Sequence, residues 1–189
     1  MQMAEIDRSV VQALRRGEEQ AYALVIDELH KPVFRFLLRL SSDSGIAEDL
    51  TQETFIALWQ GVGSFRGKSR FKTWVFGIAY RQFLRHKDKR IVETVELVDS
   101  DLSDPSDLSE LVEESQERAR IRQAVYGLPD QYREIVCLAH FNGLSHRECA
   151  DVLSIPIGTV KSRMNGAFRL LRETLGESEV RDDEIRQTA

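Results

Sequence analysis

Apolar residues along this chain recur at three- and four-residue spacing, the period of amphipathic helices, and no run of alternating β-branched residues suggests a strand. Arg8 to Arg16 reads as a short amphipathic piece ended by Gly17. A longer helical pattern runs from Glu18 toward Leu40 and repeats Tyr22, Val25, Ile26, Leu29, Val33, Phe34, Leu37 and Leu38. Pro32 is expected to kink or divide it, because proline has no amide donor. Ser41-Ser42-Asp43-Ser44-Gly45 is a turn in which Asp43 or Ser44 is placed to cap the next helix. That helix, Ile46 to Trp59, turns Ile46, Ala47, Leu50, Thr54 and Ala57 or Leu58 inward. It leaves Glu48, Asp49, Gln52 and Glu53 on or beside its outer face. Gly61 to Arg70 carries three glycines and two serines and reads as a loop. A helix from Phe71 to about His86 follows, burying Phe71, Val75, Ile78 and Ala79.

The second half begins with residues 91–117, which hold ten acids, no base and Pro105. Like charges at this density resist compaction, so the segment reads as an extended or partly helical linker. A helix is expected from Glu117 to about Tyr126. Gly127-Leu128-Pro129-Asp130 stops it and caps the next, which ends near Phe141-Asn142-Gly143. In the last pattern, Leu144 to Leu175, Ser145 and Glu148 have the spacing of a capping box. The short helix behind that box carries small Ala150 on its inner side. Leu153-Ser154-Ile155 and Pro156 interrupt it, and Gly158 and Thr159 restart a second helix with Thr159 as N-cap. Val160, Met164, Ala167, Phe168 and Leu171 form that helix's buried face. Ser162, Asn165, Gly166 and Arg169 face away, with Lys161 on the flank. From Lys161 to Arg172 the helix holds four bases (Lys161, Arg163, Arg169, Arg172) and no acid. A capped helix, a tight turn and a basic helix with small polar residues outward describe a helix-turn-helix shaped for the DNA major groove. The alternative is a helical hairpin with a solvated basic face. The fold class is all-α, in two small helical domains joined by an acidic flexible linker.

Charge sharpens this picture. The net charge of −5 over 189 residues looks wrong for a nucleic-acid binder, but it is unevenly spread. Residues 1–65 carry −4, 66–90 carry +8, 91–118 carry −9, 119–175 carry +3 and 176–189 carry −3. A polyanion feels the local blocks rather than the total. The apolar runs are too short to span a bilayer and the N-terminus lacks a signal-peptide core, which predicts a cytosolic protein with no membrane insertion. Two cysteines in this length make no disulfide framework.

Two other surfaces invite chemistry. Along the edge of the 71–86 helix run Arg70, Trp74, Gly77, Arg81 and Arg85. An aromatic ring among arginines suits stacked bases and neutralised phosphates; equally, Trp74 can be core and the arginines solubility charges. The outer face of the 46–59 helix, by spacing alone, is a solvated acidic face with no assigned role.

AEDLTQETFIALW (47–59), FKTWVFGIA (71–79), LPDQYREIVCLAHFNGLS (128–145) and IGTVKSRM (157–164), in this order across an acidic linker, resemble the bacterial RNA polymerase sigma factors of the extracytoplasmic-function (ECF) group. The resemblance covers nearly all of residues 18–175. It implies a first module, 18–90, that binds the polymerase clamp helices and captures the unwound −10 strand. The second, 117–176, is implied to read the −35 duplex. Residues 1–17 form an N-terminal segment, 91–116 the linker and 177–189 an acidic tail. Carried over by position, Asp49, Gln52 and Glu53 form the core polymerase face. Phe65, Arg66, Lys68, Arg70, Trp74, Arg81 and Arg85 attend the −10 strand. Thr159, Lys161, Ser162, Arg163, Asn165, Gly166 and Arg169 attend the −35 groove. Arg81 stands where the family very often has Asn, which leaves the preferred −10 base open. Gly166 stands where a larger side chain is common, and is read as allowing close backbone approach. An anti-sigma factor is an implied partner, alongside core RNA polymerase and promoter DNA; no cofactor is implied.

Cys137-x-x-His140 and His146-x-x-Cys149 flank a turn, and four such ligands suit tetrahedral zinc. Against this, the resemblance puts both cysteines at positions normally apolar and buried, where a free thiol packs as a small hydrophobe; the metal reading is the weaker one. Two rivals from other functional classes remain. A stand-alone helix-turn-helix regulator needs a dimer seam or effector pocket, and the chain shows neither. A nucleic-acid enzyme needs a phosphate loop, a carboxylate set or a nucleophile with its base, and none is present.

Overall fold

The structure, a computed structural model, describes residues 8–96 and 116–176. They are helical with no strand among them, and they divide into two compact units on either side of residues 104 and 105. Expectations for residues 1–7, for the linker between 97 and 115 and for the tail lie outside the described residues.

The first unit contains α1 (Arg8–Arg15), α2 (Glu19–Ser41), α3 (Ser44–Gly61) and α4 (Phe71–Glu96). Gly17 closes α1 at φ 77°, a left-handed conformation open to glycine without a side-chain penalty. Pro32 does not divide α2, which runs unbroken through it. The tertiary packing of Val25, Leu29, Val33, Phe36 and Leu37, all fully buried, outweighs one lost amide. Asp43 caps α3, its carboxylate accepting from the Ile46 amide at 2.9 Å. On α3 the inward stripe is Ala47, Leu50, Thr51, Thr54, Phe55 and Leu58. Of the two alternatives Leu58 is the buried one, and Ile46 is only half-buried. Thr51 and Thr54 enter the core because each hydroxyl donates to a carbonyl one turn back, Ala47 and Leu50, at 2.6 and 2.7 Å. Phe36 of α2 meets Phe76 of α4 edge-on at 5.2 Å, tying the two longest helices together. α4 continues ten residues beyond His86, to Glu96, so the first part of the expected linker is helical. Lysines and arginines from Arg85 to Arg90 are good helix formers, which propensity alone accommodates.

The second unit contains α5 (Gln116–Tyr126), α6 (Asp130–Val136), α7 (His146–Leu153) and α8 (Ile157–Leu175). Arg133 staples the α5–α6 corner: its guanidinium donates to the Tyr126 carbonyl at 2.7 Å and pairs with Asp130 at 2.6 Å. Beyond Val136 the helix widens into a π-type turn over Cys137–Phe141, which periodicity did not indicate. The buried Asn142 amide donates to the Cys137 carbonyl at 2.8 Å, and the Leu144 amide donates to the Leu138 carbonyl at 3.0 Å. These bonds close the end of the helix onto the segment that follows. The core is Ile135, Val136, Cys137 and Leu138 against Val160, Met164, Ala167 and Leu171.

Candidate nucleic-acid and polymerase interfaces

The helix-turn-helix is built from local signals. Ser145 and Glu148 form the capping box: the Glu148 amide donates to the Ser145 hydroxyl oxygen at 3.3 Å, and the Ser145 amide donates to the Glu148 carboxylate at 2.9 Å. Ser154 ends α7 in the left-handed region (φ 55°, ψ 42°), its amide bonded to the Ala150 carbonyl. Pro156, not Thr159, is the N-cap of α8. Its φ is already set and its carbonyl accepts from the amides of Thr159 and Val160 at 2.9 and 3.1 Å, so the residue expected to stop one helix starts the next. Thr159 sits inside the first turn, where its carbonyl accepts from the Ser162 hydroxyl at 3.0 Å.

On α8, Lys161, Ser162, Asn165 and Arg169 are exposed, and Thr159 and Arg163 are half-buried at the flanks. Phe168 is half-buried and meets the His140 ring edge-on at 4.9 Å. Gly166 has a neighbour from another helix that its own helix does not reveal. A Cβ there would lie 2.8 Å from Cε1 of Tyr132 on α6, so the space beside it is filled by this protein's own ring rather than left open.

In the first unit the basic loop leaves α3 through a single 3-10 turn, Val62–Ser64, and continues irregularly to Arg70. Arg66 and Lys68 on this loop are exposed, as are Arg70 at its end and Arg81 and Arg85 on α4. Phe65, assigned to the −10 strand, is only 8% exposed. It packs against Phe71 and Trp74 at 5.4 and 5.2 Å, because a large apolar ring flanked by two others is removed from water more favourably than left on a loop. This packing ties the loop to α4, and the Phe65 carbonyl accepts from the Arg15 guanidinium of α1. Trp74 is half-buried and stands 3.8 Å from where a Cβ of Gly61 would be. Arg81 lies back over Gly77, its Nη1 3.4 Å from a Cβ built there. Partial burial, and then the Arg85 charge, lower its pKa from the usual arginine value.

On α3, Asp49, Gln52 and Glu53 are exposed on one side. The same stripe continues into Ile56 and Trp59, which are 56% and 40% exposed. The sequence reading assigns neither; Ile56 lies three and four residues after Glu53 and Gln52, and Trp59 three after Ile56, which is the signal available in the sequence. The Trp59 ring is steadied edge-on by Tyr22 at 4.7 Å. Exposed apolar groups beside acids are suited to a protein partner.

Cys137, His140, His146 and Cys149 are not brought together. Among the described residues no group of three or more His, Cys, Asp or Glu side chains has metal-binding geometry. Both cysteines are buried, His146 is exposed, and His140 is engaged by Phe168. Burial drives the Cys149 thiol up to about 12, with the Glu148 charge adding to the effect, so it stays protonated as a packed apolar group. No helix among the described residues is long and apolar enough to cross a membrane.

The family profile "Sigma-70 region 2" matches residues 25–90 and "Sigma-70, region 4" matches residues 118–171. The chain is 29% identical over 182 residues to the RNA polymerase sigma-H factor of Pseudomonas aeruginosa, covering 90% of this chain and 94% of that one. It is 28% identical over 176 residues to the ECF RNA polymerase sigma factor SigW of Bacillus subtilis, covering 87% and 94%. Among solved structures, the sigma factor RpoE in complex with the anti-sigma factor NepR from Bartonella quintana superposes with a TM-score of 0.67 at 27% identity, over 82% of this chain and 97% of that one. With both region patterns in order, each on its own helical unit, and relatives matched along nearly their whole length, the chain belongs to the RNA polymerase sigma factors of the ECF type.

Proposed function

We propose that this chain binds core RNA polymerase, directs it to promoters through −10 and −35 elements, promotes strand opening, and is held in check by an anti-sigma factor, acting in the cytoplasm. The domain map follows: residues 18–90 as region 2, 91–116 as linker with its first part continuing α4, and 117–176 as region 4. The observation that carries the reading is the exposed face of α8, free of acid from Lys161 to Arg172, behind a capped turn, in a chain whose other unit exposes a basic loop. A duplex needs a protruding helix with donors on one side. A separated strand needs a basic groove with aromatic support, and Trp74 with its flanking cations supplies one. Asp49, Gln52 and Glu53, continued by Ile56 and Trp59, are proposed as the polymerase face. No residue is assigned a catalytic role. The anti-sigma assignment rests on the complex in which the Bartonella relative was solved.

The first test is on polymerase. Asp49→Lys with Glu53→Lys reverses the charge of the α3 face without touching its buried stripe. Co-purification with core should be lost while far-ultraviolet circular dichroism keeps its helical signal. Undiminished binding would remove α3 from the interface.

A further inference from the structure

The recognition helix is notched at Gly166, and the notch is occupied. A Cβ at this position would stand 2.8 Å from Cε1, 3.1 Å from Cζ and 3.2 Å from the hydroxyl oxygen of Tyr132. Real Cβ atoms do not approach a neighbour as closely as 2.8 Å, so the end of the ring rests on the backbone of α8 only because residue 166 has no side chain. Gly166 lies four residues after Ser162 and three before Arg169, and side chains at these spacings share one side of a helix. Both of those residues are exposed. The Tyr132 hydroxyl therefore emerges beside the outward face of α8, at the place a residue-166 side chain would otherwise occupy. Tyr132 itself is half-buried, its ring held by packing. Among the described residues its hydroxyl has no hydrogen-bond partner, while the Ser162 hydroxyl on the same side of α8 is engaged by the Thr159 carbonyl.

We infer that Tyr132 is a DNA-contacting residue of the second unit, its hydroxyl donating to a duplex phosphate at the edge of the −35 groove in place of a side chain at 166. This rests on the reading of α8 as the duplex-binding helix. A rigid phenol approaching from the helix beneath meets the groove wall, which is made of phosphates, rather than the base edges that the outermost residues of α8 reach. Gly166 and Tyr132 act as one unit: the glycine clears the path and the tyrosine supplies the donor. A fixed ring loses little rotamer freedom on binding, unlike a long cationic side chain.

The test is equilibrium binding of the full chain, assembled with core polymerase, to duplex promoters differing in the −35 element. Tyr132→Phe keeps the ring against Gly166 and deletes only the donor. It should weaken binding about tenfold, equivalent to about 1.4 kcal/mol, near the lower edge for hydrogen bonds to a charged acceptor. The loss should be equal across the −35 sequences. Gly166→Ala should displace the ring and cost a similar factor, and should add little when Tyr132 is already Phe. Lys161→Ala and Asn165→Ala run alongside. If those two leave affinity unchanged, the assignment of α8 fails and this inference with it. If they weaken binding while Tyr132→Phe matches the parent, the hydroxyl contact is wrong. A Tyr132→Phe loss confined to one −35 sequence would overturn the phosphate assignment.

Discussion

The two cysteines show how a single residue's chemistry is decided by what surrounds it. Cys149 is buried, its Sγ 3.8 Å from the Leu144 carbonyl, and the burial that makes it a good packing group also makes it a poor thiolate. The folded-state pKa, about 12, lies above the ordinary value of 9.0, so the folded form holds its proton where the unfolded chain has lost it. Stability from this group is complete below about pH 9 and is lost as pH rises toward 12. Thermal melts of the intact protein between these limits should show a decline that is shallower in Cys149→Ala, and iodoacetamide should label Cys149 at neutral pH only once the protein is unfolded. Rapid labelling of the native protein would contradict the buried, protonated thiol. At the same scale, the surroundings of Phe65 and Gly166 are hidden from the sequence for one physical reason. A helical wheel or a loop composition says which way a residue points relative to its own element, and nothing of what another element brings against it. Phe71 and Trp74 bury the one and Tyr132 fills the space beside the other.

Elements were legible where local chemistry decides them. The capping box at Ser145, the Asp43 cap and the stop at Gly17 all follow from side chains within four residues of the helix end. Elements went astray where tertiary packing overrides propensity: Pro32 is carried inside α2 and α4 runs past His86 to Glu96. The π-type turn at Cys137–Phe141 is accompanied by the buried Asn142 amide bonded to the Cys137 carbonyl, a contact with no periodic signature. In the turn between α7 and α8, a non-glycine residue, Ser154, takes a left-handed conformation. That conformation costs about 1–2 kcal/mol for a residue with a Cβ, whereas glycine brings only about 0.5–1 kcal/mol of extra chain entropy. Ser154→Gly should therefore stabilise the second unit by about 0.5–1 kcal/mol, the difference of those effects. Denaturant melts of parent and variant measure it, and a variant less stable than its parent would show that the serine side chain contributes more than the strain it causes.

For the whole molecule, a chain of net charge −5 must approach a polyanion, which it can do only through local faces such as the +8 block of residues 66–90. On the function proposed above, two such faces on separate units, one with an aromatic ring and one on the exposed side of α8, act at different steps. Lys161→Ala and Asn165→Ala should weaken recognition of the duplex, each contact contributing about 1–3 kcal/mol where it reaches a base edge. Trp74→Ala and Arg66→Ala should instead permit the closed complex and impair opening, with about 1–3 kcal/mol lost for a stacked base at Trp74. Phe65→Ala is unsuited to the comparison, because removing a buried ring disturbs the loop itself. Abortive transcription from matched duplex and pre-melted templates separates the two classes. A template already unwound around −10 bears the cost of separating the strands, so it should partly restore the Trp74 and Arg66 variants. It should leave the Lys161 and Asn165 variants impaired, since their missing contact lies in the duplex upstream. Equal rescue of both pairs, or rescue of the α8 pair alone, would mean that the two units do not divide recognition and opening between them.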